Sequence, residues 1–217
     1  MDAVPRRIDR SRSVDRTMKI IALLVALWAL PASADIRIEG DALIYDAPAY
    51  GYNPNRASDA DAIGTLLRTH AEIKRIVLVG DFWITRAALD VARVVDDFGL
   101  ATEVRGECSE ACLYILVAGK TRTVAQGAQV HLKRIVMPAD ILKAQFAGQK
   151  ASYGWADEFG QAAFMYDRAQ NDMRDGLGFL LDHGVSLDFA LRVFDTPRQD
   201  VWTPTREELV AGGVVEK

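Results

Sequence analysis

From Asp35 to Tyr45 apolar and polar residues alternate around Gly40, the two-residue period of a strand pair entering a sheet. Asp46 to Arg56 holds two prolines, a glycine and two asparagines and reads as a loop. After Ser58, a capping residue followed by Asp59 and Asp61, the spacing of Ile63, Leu66, Leu67 and Ile73 predicts a helix with one apolar face. The run Arg75-Ile76-Val77-Leu78-Val79, stopped by Gly80, has no polar face at all and predicts a buried strand. Ile84, Ala87, Ala88, Val91, Val94, Val95 and Phe98 then recur at steps of three and four, an amphipathic helix closed by Gly99. Leu100–Val104 follows as another strand. Such alternation with short connections implies βαβ units and a largely parallel sheet, an α/β fold.

Further along, Ala111–Ala118 is apolar on all sides and must be buried. Thr121–Val124 and Ala128–Leu132 read as two short strands around a turn at Gln126-Gly127. Pro138–His183 is mostly helical in pattern and rich in rings: Phe146, Tyr153, Trp155, Phe159, Phe164, Tyr166 and Phe179. Rings at helical spacing are ordinary core material, so packing onto the domain's own core stands beside a subunit interface, and a homo-oligomer is left open.

The beginning of the chain has a different character. Ile20–Leu30 is an unbroken apolar run preceded by Lys19 and followed by Pro31-Ala32-Ser33-Ala34, which predicts a secretory signal over residues 1–34 with cleavage before Asp35. A membrane span needs roughly 18–20 apolar residues, so the run is too short to remain as an anchor. The charged stretch before Met18 makes that methionine an alternative start, and the pair Arg6-Arg7 lacks the surroundings of a twin-arginine signal. Residues 35–217 are then one domain of a periplasmic or secreted protein.

Removing residues 1–34 takes six of the 26 basic and three of the 30 acidic side chains, leaving 20 against 27 and a net charge of −7. An acidic surface repels phosphate backbones, which argues against nucleic-acid binding. Both cysteines, Cys108 and Cys112, lie in the exported part. Residues four apart on one helical turn have Cα atoms about 6 Å apart, within disulfide reach, and an oxidising compartment favours that bridge. Oxidation also removes the thiolates that a zinc site built with His131 and Glu110 would need, so neither a metal nor another cofactor is expected.

One set of motifs carries more than local structure. Gly99-Leu100-Ala101-Thr102-Glu103-Val104 leads to Cys108-Ser109-Glu110-Ala111-Cys112, then to Ala118-Gly119-Lys120-Thr121-Arg122, and on to Gly127-Ala128-Gln129-Val130-His131-Leu132-Lys133-Arg134. This series resembles the exported bacterial branch of the ClpP/crotonase-like superfamily, the periplasmic ClpP-like proteins. There a helix ends in Gly-Leu, a strand reads Thr-x-Val, a Cys-x-Ser-x-Cys turn opens a buried helix, and an Ala-Gly-x-x-Arg turn precedes a histidine-bearing strand. The closing stretch Gly184-Val185-Ser186, Phe194-Asp195-Thr196, Trp202-Thr203-Pro204, Glu208-Leu209 and Gly212 is similar too. The resemblance covers most of 75–135 and 183–213, is weak over 138–182, and implies a spiral of βαβ units with a helical C-terminal region.

In ClpP-type peptidases a turn serine attacks, a histidine takes its proton and an aspartate fixes that histidine, because a hydroxyl needs a base within hydrogen-bond reach. The resemblance assigns the histidine to His131 and the aspartate to Asp195. At the nucleophile position stands Glu110, and the neighbouring Ser109 is displaced by one residue, which turns its side chain in another direction. Where the family has a Gly-Gly turn to admit an oxyanion, this chain has Gly80-Asp81-Phe82, whose side chains crowd that approach.

Two classes of function follow. One is a non-peptidase binding or assembly protein that keeps the fold while a Cys108–Cys112 bridge staples the old elbow. The other is an enzyme of changed chemistry, a hydrolase or lyase using Glu110 with His131 as acid and base, or a displaced Ser109. Whether the chain is an enzyme is left open by a fold that lacks its expected nucleophile. Elsewhere bland roles are expected: His70 solvated, His183 at a helix C-terminus, and Trp83, Trp155 and Trp202 as packing residues.

Overall fold

The apolar run at 75–80 becomes an interior strand because neither of its faces meets water: Ile76, Val77 and Leu78 have no exposed surface. A computed structural model describes residues 35–47, 59–80, 85–133, 137–197 and 200–216. The predicted signal at 1–34, Asp81, Phe82, Trp83 and Arg134 lie outside the described residues.

Strands β1 (Asp35–Glu39) and β2 (Ala42–Ala47) are antiparallel about Gly40, as the alternation predicts. β2 runs parallel to β3 (Arg75–Gly80), β3 to β4 (Ala101–Val104), and β4 to β6 (Arg122–Val124), giving the order β1-β2-β3-β4-β6. Between the strands lie α1 (Asp59–Thr69), α2 (Thr85–Asp97) and α3 (Glu110–Val117). The connections β2-α1-β3, β3-α2-β4 and β4-α3-β6 are the βαβ units of a mixed α/β fold with a parallel sheet. Gly99 closes α2 with a φ of 61°, a left-handed conformation natural to glycine.

Helix α3 is the centre of the core. Ala111 to Val117 are buried on every side, which is why no polar face interrupts the sequence there. It packs on α2 and touches β4, β5 (Glu107–Ser109), β6 and β7 (Gln129–His131). Thr102 donates a buried hydrogen bond to the Leu116 carbonyl at 2.7 Å, and any side chain at Gly119 would overlap Thr102. Arg122 extends its guanidinium to the carbonyls of Gly119, Gly213 and His183, binding the closing segment to the sheet. Burial lowers its pKa, an effect opposed by Glu216.

The segments around Gln126-Gly127 are strands, but they do not form a hairpin with each other. β6 joins the main sheet beside β4, whereas β7 pairs in parallel with β5 in a second, two-stranded sheet. The C-terminal region is helical: α4 (Ala139–Tyr153), α5 (Glu158–Asp182), α6 (Leu187–Asp195) and α7 (Arg206–Ala211). Its rings do not share one fate. Phe179 meets Tyr114 edge-on at the core, while Phe146, Tyr153, Trp155 and Phe164 stack among themselves between α4 and the start of α5. Helix α4 has no buried residue. None of the described helices is long and apolar enough to cross a membrane.

Candidate functional site

The short β5–β7 sheet exists at the place where the sequence motif puts its chemistry. Its register sets Cys108 beside Val130 and Ser109 beside His131. Paired residues on neighbouring strands project to the same face, so Ser109 and His131 belong to one side of this ribbon. Ser109 ends β5 and is also the N-cap of α3, with an extended backbone (φ −80°, ψ −179°); its side chain does not cap the helix. It is 4% exposed. Glu110 follows as the first residue of α3, and its side chain lies outside what is described.

His131 is half-buried and shares a hydrogen bond of 3.0 Å between its Nδ1 and Thr203 Oγ1. Thr203 is held there by the strand-like bridge of its neighbour. Leu132 N donates to the Trp202 carbonyl at 2.8 Å, and Trp202 N donates to the Leu132 carbonyl at 2.7 Å. Arg192, 3.9 Å from the centre of the Trp202 ring, and Phe189 also pack against that tryptophan. Asp195, the residue the resemblance assigns to orient the histidine, is exposed at the end of α6 and makes no hydrogen bond or ion pair with His131. The reason is positional: the chain returns to His131 only after α6, through Trp202-Thr203, so the hydroxyl arrives where the carboxylate does not.

Cys108 and Cys112 are joined in a disulfide with Cα atoms 5.2 Å apart, and both are fully buried. They do not sit on one helical turn, as the spacing alone suggests. Cys108 is in β5 and Cys112 in α3, so the bridge crosses the strand-to-helix elbow that carries Ser109 and Glu110. Neither sulfur is then a thiolate available to a metal, and the described residues contain no cluster of three or more His, Cys, Asp or Glu able to hold one.

Gly80 ends β3 with a φ of 98°, a backbone conformation that side chains rarely tolerate. A Cβ at Gly106, just before β5, would lie 3.8 Å from Gly80 N, an ordinary contact distance, so the end of β3 lies beside the start of the elbow. The segment leading into β5 thus passes the end of the parallel strand β3, the end at which α/β sheets bind ligands, and the register of β5 with β7 sets Ser109 beside His131. Asp81 lies outside the described residues.

Sequence reasoning missed Thr203. It stands within a quoted motif, yet a lone hydroxyl between tryptophan and proline has no periodicity to mark it. Among the described residues, the other histidines and Trp155 make local contacts away from this elbow, and Trp83 lies outside the described residues. His70 Nδ1 lies 2.9 Å from Glu72, and His183 Nδ1 donates to the Phe179 carbonyl at 2.8 Å near the end of α5. Trp155 is buried among the rings between α4 and α5.

No protein-family model and no curated protein matches this sequence. Among solved structures, that of the Pseudomonas aeruginosa protein PA4980 is similar at a TM-score of 0.46, with 12% identity, over 84% of this chain and 75% of that one.

Proposed function

We propose that this chain is an exported ClpP/crotonase-like protein whose βαβ spiral keeps a degenerate serine-peptidase-type site and binds a ligand or partner there instead of cleaving it. The observation that carries the reading is the state of the elbow. Its one hydroxyl, on Ser109, is almost completely buried at 4% exposure, and a disulfide spans it from Cys108 to Cys112. A nucleophile has to reach a substrate carbonyl, and an elbow stapled on both sides resists the movement that would expose this one. His131, moreover, is oriented by a neutral hydroxyl, which gives an imidazolium less support than a carboxylate would.

Export is part of the same proposal. The A-x-A sequence before Asp35 and the disulfide both suit a periplasmic or secreted protein. The intact mass of the protein recovered from the periplasm tests it: a chain beginning at Asp35 is the expected result, and an uncleaved chain in the cytoplasm contradicts it.

A second reading is favoured by one specific observation, the register that sets Ser109 beside His131. In it Ser109 is the nucleophile, His131 its base and Thr203 the group that fixes the base, a displaced version of the triad. A fluorophosphonate probe separates the two on folded, oxidised protein. Binding without catalysis leaves Ser109 unlabelled, whereas stoichiometric labelling that disappears in Ser109→Ala establishes the hydrolase.

A further inference from the structure

The segment that brings the Thr203 hydroxyl to His131 has little backbone pairing to hold it. Leu132 and Trp202 exchange two hydrogen bonds, but their pairing is a single bridge outside the strands. Val201 and Thr203, on either side of Trp202, are exposed, and the buried Pro204 has no N–H to give. Where Thr203 stands is therefore set in large part by where the indole of Trp202 rests. That indole is half-buried and packs on α6 against Phe189 and Arg192, three residues apart and so on one face of the helix.

The two supports differ in kind. Phe189 is buried, and any side chain at Gly212, just after α7, would overlap its ring, so it is a fixed wall. Arg192 lies at the surface yet is tied at its far end. Its Nη1 donates to Glu208 Oε1 at 2.8 Å, while Glu208 Oε2 accepts the Thr205 N–H at 2.8 Å in the capping box of α7. The guanidinium is thereby held over the Trp202 ring, 3.9 Å from its centre. A planar, weakly hydrated cation against the face of an indole is attracted by the ring's quadrupole, and tryptophan is the best acceptor of this kind.

We infer that Arg192 is a positioning residue for His131, acting through the Trp202 ring and the Thr203 hydroxyl without touching the histidine. The path is continuous: the α7 cap fixes Glu208, Glu208 fixes Arg192, and Arg192 rests on Trp202. Trp202 then holds Leu132 by its backbone and carries Thr203, which bonds His131 Nδ1 at 3.0 Å. The inference deepens the proposed reading of the elbow and rests on it in one respect, that His131 is the group that acts beside Ser109. Without the guanidinium the indole shifts, Thr203 draws away from Nδ1, and the imidazole loses its fixed orientation. An ion pair that merely joined α6 to α7 would end at Glu208 and leave His131 untouched.

Nuclear magnetic resonance of the full exported chain, oxidised and labelled in its histidine rings, tests the inference. The chain has three histidines, so His70 and His183 report any change of the protein as a whole. The expected result is that Arg192→Ala moves the His131 ring signals in the same direction as Thr203→Val and leaves the other two histidines in place. Combined with Thr203→Val it adds nothing further, because the path is already cut. Arg192→Lys, which keeps the charge but not the planar face, moves them less. Leu191→Ala, at the exposed neighbour on α6, leaves them where they are. His131 signals indifferent to Arg192→Ala, shifts of Arg192→Ala and Thr203→Val that simply add, or an equal movement in Leu191→Ala overturns the inference. The measurement reads the ring and not turnover, so its failure leaves the proposed function standing, and neither outcome of fluorophosphonate labelling decides it.

Discussion

His131 is oriented by Thr203, whose Oγ1 lies 3.0 Å from the ring Nδ1 across 72 residues of sequence. A hydroxyl can donate or accept, so this bond fixes the orientation of the ring in either tautomer. Thr203→Val keeps the shape and removes the hydroxyl. Because the pair is exposed, stability falls by less than about 1 kcal/mol, but the ring loses its fixed orientation and the imidazole ¹⁵N shifts move. Unchanged ¹⁵N shifts would mean that something other than Thr203 sets the ring.

The disulfide closes a loop of only five residues, from Cys108 to Cys112. Chain-entropy reasoning assigns such a loop about 2 kcal/mol, at the lower end of the disulfide range. The double variant Cys108→Ala/Cys112→Ala, which leaves no buried thiol or hydroxyl unpaired, is expected to unfold at lower denaturant with an unchanged slope. Its Ser109 also becomes more reactive toward fluorophosphonate if the staple is what keeps the elbow closed. Parent-like stability together with parent-like reactivity contradicts the stapling role.

How much of this could be read from the residues varies with the range of the interaction. The burial of α3 was legible because a segment apolar on all sides has nowhere to go but the interior, though its helical form was implied only by the resemblance; α2 was legible because its three- and four-residue steps admit one face only. The partners of β6 and β7 were not. Gln126-Gly127 looks locally like a hairpin turn, while the choice to pair Gln129–His131 with Glu107–Ser109 is made by the path of the chain around α3. The disulfide was legible from a four-residue spacing, though its strand-to-helix geometry was not. At the site, the strand register sets Ser109 beside His131. The contact between His131 and Thr203 could not be read from order along the chain, because it depends on the Leu132–Trp202 bridge.

Two glycines on α5 make opposite predictions from positions two residues apart. A Cβ at Gly176 would stand 2.5 Å from the hydroxyl of Tyr114, itself a core residue. Gly176→Ala therefore forces that ring to move and costs about 1–3 kcal/mol. A Cβ at Gly178 meets nothing within 4 Å, so Gly178→Ala gains helix propensity, about 0.5–1 kcal/mol. Thermal unfolding of both variants decides it. Destabilisation of equal size at the two positions would show that α5 does not rest on α3 through Tyr114.

Acid sensitivity should reside in part on β4. Glu103 is mostly buried on the sheet and is held by Arg105 at 2.7 Å and Arg75 at 2.6 Å. The hydrogen bond from Arg105 is the largest cause of a carboxylate pKa lowered below 4.5, with burial opposing and the charges of Arg105 and Arg75 assisting. A folded-state pKa below the unfolded one means that the folded protein binds the proton less readily. The stabilisation is therefore complete above the unfolded value near 4.5 and disappears as pH falls through the lower folded value. Glu103→Gln abolishes that dependence, lowering stability at neutral pH by roughly 1 kcal/mol, the scale of a charged hydrogen bond to partly exposed partners. It changes little once the parent carboxylate is protonated. Urea denaturation across pH 3 to 7 reads this directly: the two stability curves should converge on the acid side, and curves that stay parallel would place the acid-labile group elsewhere.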